Sequence, residues 1–329
     1  MSQRDSLNFI EYGLLFVDMM NNNHKKIPKL AIVGLGSQGK KHFEAALALE
    51  KQGVVVVVAT CDPVLQTTNH GTHYQHFNQM LELEKIDVVI IAVPHIFHQN
   101  MCQQALEKGI SVIKEVPVAL TLDQVVDLQK RARKRKASVI TCQQRFFKQE
   151  WIALQKLVAD AEEILSFHFT FCVDDTIKSW YWDIDQSGGG VWLTMGWHPM
   201  QMIDWLFGLV KTVEVKIDSG RKRQWQYQME HAALANVVLE NGISGSIFVS
   251  CVHSKQDLVR VETKQGVISL VGKKVAYIAN GTSQTRVYQD VHDPYLLQLE
   301  ASLKSISEHK TTLKQDREIL KNILLATEK

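Results

Sequence analysis

The sequence predicts a doubly wound α/β domain with a parallel sheet, followed by an α+β domain with a mostly antiparallel open sheet. Three observations support this fold class. From residue 29, short apolar runs alternate with segments of helical period, which is typical of βαβ units. A glycine-rich turn separates the first predicted strand from the first predicted helix. After about residue 147, strands follow one another with few helices between them, which indicates antiparallel pairing.

The first part of the chain alternates strands and helices almost regularly. The run VVVVVAT at 54–60 is apolar throughout, as expected for a strand buried on both faces of a parallel sheet. Gly109 follows a helical segment and is a typical C-terminal stop. The predicted strands are 30–33, 54–60, 87–93, 111–116 and 138–142, and the predicted helices are 38–49, 78–84, 97–108 and 122–135.

The second part contains more strands than helices. The pair Asn241–Gly242 is a strong hairpin signal between two of them. The predicted strands are 164–173, 212–218, 230–239, 243–251, 258–263 and 267–271, and the predicted helices are 150–159, 189–207, 295–308 and 313–326. We therefore expect an N-terminal extension (1–28), a nucleotide domain (29–147) and a substrate-binding and oligomerisation domain (148–329). An open sheet needs a covered face, which predicts a homodimer or homotetramer.

Bulk composition excludes several classes of protein. The net charge is +2, which argues against a nucleic-acid partner, and no apolar run is long enough to span a membrane. The apolar stretch 8–20 is interrupted by Glu11 and Asp18 and lacks a basic leader, so a signal peptide is not expected. Five scattered cysteines without metal-ligand spacing predict a cytoplasmic protein with no disulfide framework and no metal site.

The sequence from Gly34 to Gly39 has the spacing G-x-G-x-x-G between a strand and a helix. Gly34 permits the tight turn, Gly36 allows the backbone to approach a pyrophosphate, and Gly39 lets the helix pack on the strand. The helix N-terminus, with the amides of Ser37 and Gln38, offers donors and a positive dipole to phosphates. This combination predicts a Rossmann-type dinucleotide site.

Asp62 ends the second predicted strand, where a ribose 2′-hydroxyl would be bound. A carboxylate repels a 2′-phosphate, and the residues that follow Asp62 include no arginine to neutralise one. The sequence therefore favours NAD over NADP as the cofactor.

Four further motifs occur in order along the chain. Together with the glycine turn, they resemble those of the Gfo/Idh/MocA family of glucose–fructose oxidoreductases and inositol dehydrogenases. The resemblance extends from about residue 29 to the C-terminus. The four motifs are AVPHIFH at 92–98 (family T-P-N-x-x-H), KEVPVALT at 114–121 (family E-K-P-x-A-x-T), QQRF at 143–146 (family N-x-R-F) and GGGVWLTMGWH at 188–198 (family G-G-G-x-x-x-D-x-G-x-H).

The resemblance implies that Pro94, His95, His98 and Glu115 border the cofactor. It also implies that a lysine, an aspartate and a histidine surround the reacting carbon. In this chain the lysine position is Val116, the aspartate position is Thr194, and only His198 is kept. The family mechanism therefore cannot be transferred whole.

Lys114 is the nearest replacement for the missing lysine. In a strand, Lys114 and Val116 would point to the same side about 6–7 Å apart, so the ammonium could reach the site. Alternatively, Lys114 extends to solvent or toward a cofactor phosphate.

Thr194 and His198 have the spacing i and i+4, which places both on one face of a helix. His198 is the predicted acid–base group, and Thr194 would help to bind and orient the substrate. Because threonine carries no charge, we expect the His198 pKa to be lower than in ordinary family members.

The remaining candidates are aromatic and basic. Trp180 and Trp182 could form a wall of the substrate pocket or belong to a core or interface cluster. Arg145 could reach substrate or cofactor, or pair with a nearby acid. His70, His73 and His76 lack companion ligands and are interpreted as a surface loop.

These residues predict an NAD(P)-dependent oxidoreductase that moves hydride between the nicotinamide and a polyol, sugar or sugar-derived carbonyl. The substrate class comes from the resemblance alone. Two alternatives remain: a non-catalytic dinucleotide-binding sensor, and a reductase of a non-sugar substrate such as a tetrapyrrole.

Overall fold

The structure, a computed structural model, describes residues 26–64, 70–174, 180, 183–218, 230–279 and 281–327. The predicted extension lies almost entirely outside these ranges, as does Trp182. Within the described part of the chain, no helix has both the length and the apolar character needed to cross a membrane.

The first sheet has six parallel strands in the order β3-β2-β1-β4-β5-β6. The strands are β1 (Lys29–Val33), β2 (Val56–Cys61), β3 (Thr72–Tyr74), β4 (Val88–Ile91), β5 (Ser111–Lys114) and β6 (Val139–Thr141). Every residue of β4 and β5 is buried, as expected for central strands covered on both faces. The doubly wound parallel sheet is confirmed.

The short edge strand β3 was not predicted. His73 lies on this strand, and its Nδ1 is 2.9 Å from the Thr60 hydroxyl oxygen of β2. The interpretation of this region as a loop is therefore wrong for His73. A three-residue strand with a polar sequence gives no alternating pattern to detect.

Four helices connect the strands of the first sheet: α1 (Ser37–Lys51), α2 (Phe77–Leu83), α3 (His95–Glu107) and α4 (Leu122–Arg135). Helix α4 has the predicted bounds because both of its ends are encoded locally. The Thr121 hydroxyl accepts a hydrogen bond from the Gln124 amide at 3.3 Å, and Lys136 ends the helix in the left-handed conformation.

The second sheet has eight strands in the order β14-β13-β12-β11-β7-β10-β9-β8, with every pair antiparallel except β7 and β10. The strands are β7 (Ile164–Asp174), β8 (Val210–Asp218), β9 (Ala232–Leu239), β10 (Ser244–Ser250), β11 (Val252–Thr263), β12 (Val267–Val271), β13 (Lys274–Ala279) and β14 (Thr282–Val287). The mostly antiparallel sheet is confirmed. Strands β13 and β14 were missed, and β14 is exposed throughout and mostly polar.

Helices flank the second sheet and return to the first. They are α5 (Gln149–Asp160), α6 (Ile184–Ser187), α7 (Val191–Met195), α8 (Trp197–Phe207), α9 (Pro294–Ser307) and α10 (Leu313–Leu325). Leu299 and Leu303 of α9 share a buried cluster with Leu30 and Ile32 of β1. Helix α9 follows the predicted boundary at 147/148 in the sequence but packs on the first sheet.

Candidate active site

The glycine turn at the end of β1 has the geometry that its spacing predicts. Gly34 has φ +83°, and a Cβ there would lie 2.3 Å from the Ala92 carbonyl oxygen. A Cβ on Gly39 would lie 1.7 Å from the carbonyl oxygen of Gly34. A Cβ on Gly36, by contrast, would meet no atom within 4 Å, because this glycine faces open space. Two glycines thus build the turn, and the third leaves room beside it.

The N-terminus of α1 opens into that space. Its N-cap is Gly36, which has no side-chain cap, and the Lys40 amide donates back to the Gly36 carbonyl at 2.9 Å. The amides of Ser37, Gln38 and Gly39 precede this bond at the start of the helix, where backbone donors have no intrahelical partner. An uncapped helix end beside an open glycine fits a pyrophosphate.

Asp62 lies beside the same turn. One carboxylate oxygen accepts the Leu35 amide at 2.8 Å, and the other accepts the Val64 amide at 2.9 Å. The carboxylate is therefore fixed at the end of β2 next to the glycine turn. The distinction between NAD and NADP at this position stays a prediction.

The segment after β4 contains two histidines with different environments. The His95 Nδ1–H donates to the Ser187 carbonyl at 2.9 Å, and the ring packs edge-on against Trp180 at 5.2 Å. The His98 ring is buried, and its Nε2–H donates to the Val93 carbonyl at 2.8 Å. Burial lowers the pKa of His95 to about 4 and lowers the pKa of His98 well below its usual value. The prediction that His98 binds the cofactor needs correction, because this side chain is enclosed by the protein.

Lys114 is not where strand alternation predicted it. Strand β5 ends at Lys114, so the alternation does not continue to Val116. The side chain is completely buried, and its ammonium donates to the Pro117 and Val118 carbonyls at 2.6 Å each. Burial also lowers the Lys114 pKa. The expectation that this ammonium replaces the missing lysine is therefore wrong in its geometry, since its protons are directed into the following turn.

Glu115 carries a carboxylate held by a residue that sequence reasoning missed. The Nε2–H of His42, on α1, donates to a Glu115 carboxylate oxygen at 2.8 Å. Burial raises the Glu115 pKa, but the His42 hydrogen bond and the His42 and His198 rings outweigh burial and hold it below its usual value. Cys142 lies 3.7 Å from the same His42 nitrogen, which makes a group of three possible metal ligands. The 2.8 Å between His42 Nε2 and the Glu115 carboxylate oxygen is a hydrogen-bond distance, so these two groups contact each other directly.

The glycine-rich segment does not form the single helix predicted at 189–207. Gly196 separates α7 from α8, and its amide donates to the Val191 carbonyl, five residues back. Thr194 and His198 therefore lie in different helices, and the simple i, i+4 argument does not apply. The buried Thr194 hydroxyl donates to the Gly190 carbonyl at 3.0 Å. Its predicted role in substrate binding needs correction, because the hydroxyl proton is used within the helix.

His198 is half-buried at the start of α8 and packs edge-on against Phe171 of β7 at 5.3 Å. Among the residues that the structure describes, no group forms a hydrogen bond with the imidazole. Burial, reinforced by the Arg145 charge, lowers the His198 pKa to about 3. Desolvation and a neighbouring cation cause this shift from the usual histidine pKa, and the expected difference from ordinary family members stays a prediction. The ring is thus neutral at physiological pH and can accept a proton.

Arg145, in the 3₁₀ turn Gln144–Phe147, packs against the same phenyl ring. Its guanidinium is 4.4 Å from the Phe171 ring centroid and donates to the Asp257 carboxylate at 2.6 Å. Phe171 and Asp257 are register partners on β7 and β11, so they present adjacent side chains. Of the two options for Arg145, the structure shows a pair with a local acid.

Four residues of this region were missing from the sequence-based site: His42, Lys148, Phe171 and Asp257. Two signals were available in the sequence. His42 follows Gly39 by one helical turn, and Lys148 follows Arg145 by three residues. Phe171 and Asp257 give no such signal, because only the pairing of β7 with β11 brings them to Arg145.

Two family models match consecutive parts of the chain. Residues 29–142 match the oxidoreductase family with an NAD-binding Rossmann fold, Gfo/Idh/MocA. Residues 151–274 match the Gfo/Idh/MocA C-terminal domain.

Two relatives have low sequence identity to the chain. An uncharacterized oxidoreductase of Synechocystis sp. is 22% identical over 69% of this chain and 67% of its own length. The rhizopine catabolism protein MocA of Rhizobium meliloti is 24% identical over 55% of this chain and 57% of its own length.

Two solved structures share the fold along nearly the whole chain. KijD10, a 3-ketoreductase from Actinomadura kijaniata in complex with NADP and TDP-benzene, has a TM-score of 0.81 at 16% identity. The match covers 92% of this chain and 97% of that one. A biliverdin reductase from Synechocystis sp. in complex with biliverdin and NADP⁺ has a TM-score of 0.78 at 18% identity, covering 91% and 98%.

Proposed function

Because the chain belongs to the Gfo/Idh/MocA oxidoreductase family and has its NAD-binding Rossmann domain, we propose that it is a dehydrogenase or reductase acting on a CH–OH or carbonyl group. The substrate would be a polyol, a sugar or a sugar-derived carbonyl compound. The observation that carries this proposal is the His198 imidazole, which is neutral and hydrogen-bonded to none of the described residues.

Separate groups of residues would bind the cofactor and transfer the proton. Gly36 and the first amides of α1 would hold the pyrophosphate, and Asp62 would hold the adenosine ribose. When bound, the nicotinamide would accept or supply the hydride. The carboxylate of Glu115, fixed by His42, would border the nicotinamide.

His198 is the proposed acid–base group. In the oxidation direction, the neutral imidazole takes the proton of the substrate hydroxyl, and in reduction the imidazolium returns it. No carboxylate of the described residues pairs with His198, so the imidazolium is not stabilised as an aspartate at position 194 would stabilise it. An imidazole with a lowered pKa is a weak base, so it takes the hydroxyl proton as the hydride leaves, and its imidazolium is a strong acid in the reverse direction.

The test is turnover of NAD and NADP with a panel of inositols, sugars and nucleotide sugars, with biliverdin as a non-sugar member. We expect NAD-dependent turnover of a sugar or polyol that falls by about 10²–10⁴-fold in His198→Ala. His76→Ala, a change of an exposed histidine just before α2, is the matched control. Dinucleotide binding without turnover of any compound would instead support the sensor.

The second sheet supports an oligomer through this domain. Leu234 and Val238 of β9 and Ile278 of β13 are exposed apolar side chains on its strands. We propose that a second copy covers this face in a homodimer or homotetramer. Light scattering that finds a monomer at high concentration would contradict this proposal.

A further inference from the structure

Lys148 is a half-buried lysine between the Rossmann domain and the second sheet. It is the N-cap residue of α5, where its amide donates to the Arg145 carbonyl and its carbonyl accepts the Trp151 and Ile152 amides. These backbone bonds fix the base of the side chain. The turn that positions Arg145 therefore also positions the backbone of Lys148.

The Lys148 ammonium lies within electrostatic range of both Arg145 and His198. His198 and Arg145 pack against the same Phe171 ring, so the three basic groups lie near one another. Trp151 of α5 also packs against the guanidinium, with its ring centroid 5.6 Å away.

No carboxylate of the described residues lies within ion-pair distance of Lys148, although three lie nearby. Each of these three carboxylates has an interaction or a burial state of its own. Asp257 pairs with Arg145, and Asp290 accepts the Gln149 amide at 3.0 Å and lies 4.0 Å from Lys273. Glu150 is 2% exposed, and burial raises its pKa toward the neutral form.

A partly desolvated ammonium without a counter-ion is unfavourable unless a ligand supplies the negative charge. Arg145 cannot take this role as easily, because Asp257 already neutralises it. We propose that Lys148 recognises an anionic group of the substrate, a carboxylate or a phosphate, so that the substrate is an acidic sugar derivative. This inference rests on the proposed oxidoreductase function and defines the substrate class within it.

The test measures ligand binding to the full-length protein loaded with NADH, by calorimetry and by quenching of tryptophan fluorescence. The ligands are matched pairs: glucose with glucuronate, galactose with galacturonate, and glucose with glucose 6-phosphate. We expect at least one acidic member to bind about tenfold more tightly than its neutral partner. A preference confined to the sugar acids identifies a carboxylate as the group, and one confined to the ester identifies a phosphate.

In Lys148→Met this preference should fall to less than twofold, whereas Lys148→Arg should retain it. Lys156→Met, an exposed lysine two turns further along α5, is the matched control and should behave as the wild type. If Lys148→Met does not fold, Lys148→Gln takes its place. The preference should also shrink as KCl is raised, because the contact is electrostatic.

Two results overturn the inference. One is equal binding of acidic and neutral ligands, or binding of no acidic ligand, by NADH-loaded wild-type protein. The other is a Lys148→Met variant that keeps the preference while its kcat falls equally for acidic and neutral substrates, which would assign Lys148 to the reaction itself. Failure of NADH to bind, by contrast, would reject the proposed oxidoreductase function and with it the basis of this inference.

Discussion

Replacing Lys114 by methionine tests whether its buried ammonium stabilises the fold or acts in the reaction. Methionine nearly keeps the volume of the side chain but removes the donor to the Pro117 and Val118 carbonyls. Hydrogen bonds from charged groups contribute about 1.5–3 kcal/mol each, and two buried acceptors lose their partner. Relief of the buried charge offsets part of this loss, because burial already disfavours the charged form.

We therefore expect Lys114→Met to lower the free energy of unfolding by roughly 2–5 kcal/mol. For a chain of 329 residues this corresponds to a fall in Tm of roughly 3–7 °C. The assay is urea and thermal unfolding followed by tryptophan fluorescence, with NADH affinity measured on the folded protein. Lys134→Met, at an exposed position of α4, is the control.

A Lys114→Met variant as stable as Lys134→Met would refute the structural role. If that variant also bound NADH normally and lost turnover, the ammonium would act in the reaction, as strand alternation suggested. Loss of stability with near-normal turnover of the remaining folded protein would confirm that its two hydrogen bonds hold the turn after β5.

Three further predictions concern pH, the cofactor site and a buried acid. Because the His198 pKa is lowered to about 3, the pH profile of kcat/KM for oxidation should show no ionisation from this residue above about pH 5. An ionisation above pH 7 in that profile that disappears in His198→Ala would contradict this assignment. Gly36→Ala should fold normally and weaken NADH binding about 10–100-fold in a fluorescence titration. Gly39→Ala should instead reduce the yield of folded protein, because only a Cβ at Gly39 would meet backbone atoms. Equal NADH affinity in Gly36→Ala and wild type would argue against the pyrophosphate site. Burial raises the Asp316 pKa to about 7, despite hydrogen bonds from Thr312 and Thr141, so the folded state binds more protons than the unfolded chain between about pH 4 and pH 7. Stability should therefore fall by roughly 2–4 kcal/mol as pH rises across that window and fall less in Asp316→Asn, and parallel urea-unfolding profiles for the two proteins would refute this origin of the pH dependence.

The nucleotide domain could be predicted from the sequence because its signals are local. The spacing of Gly34, Gly36 and Gly39 depends on backbone conformation within one turn, and the structure requires glycine at two of these positions for steric reasons. Helix α4 begins and ends where Thr121 and Lys136 cap it. Apolar runs that form central strands are recognisable for the same reason, since burial on both faces leaves no room for polar residues.

Signals that depend on continued regular structure were less reliable. Alternation in β5 predicted that Lys114 and Val116 point the same way, but the strand ends at the lysine. The helical spacing of Thr194 and His198 was interrupted at Gly196. In both places the regular hydrogen-bond pattern ends or shifts between the two residues of the predicted pair, and sequence periodicity does not show where that happens.

The sequence by itself determined the fold class, the family and the presence of a dinucleotide site, because glycine turns, caps and apolar periods act over a few residues. Only the tertiary structure decided which charges meet. Lys114 donates to backbone carbonyls, Arg145 pairs with Asp257, and Lys148 has no counter-ion among the described residues. Whether a buried cation has a partner depends on strands that are far apart in the sequence. The pairing of β7 with β11 brings Asp257 to Arg145.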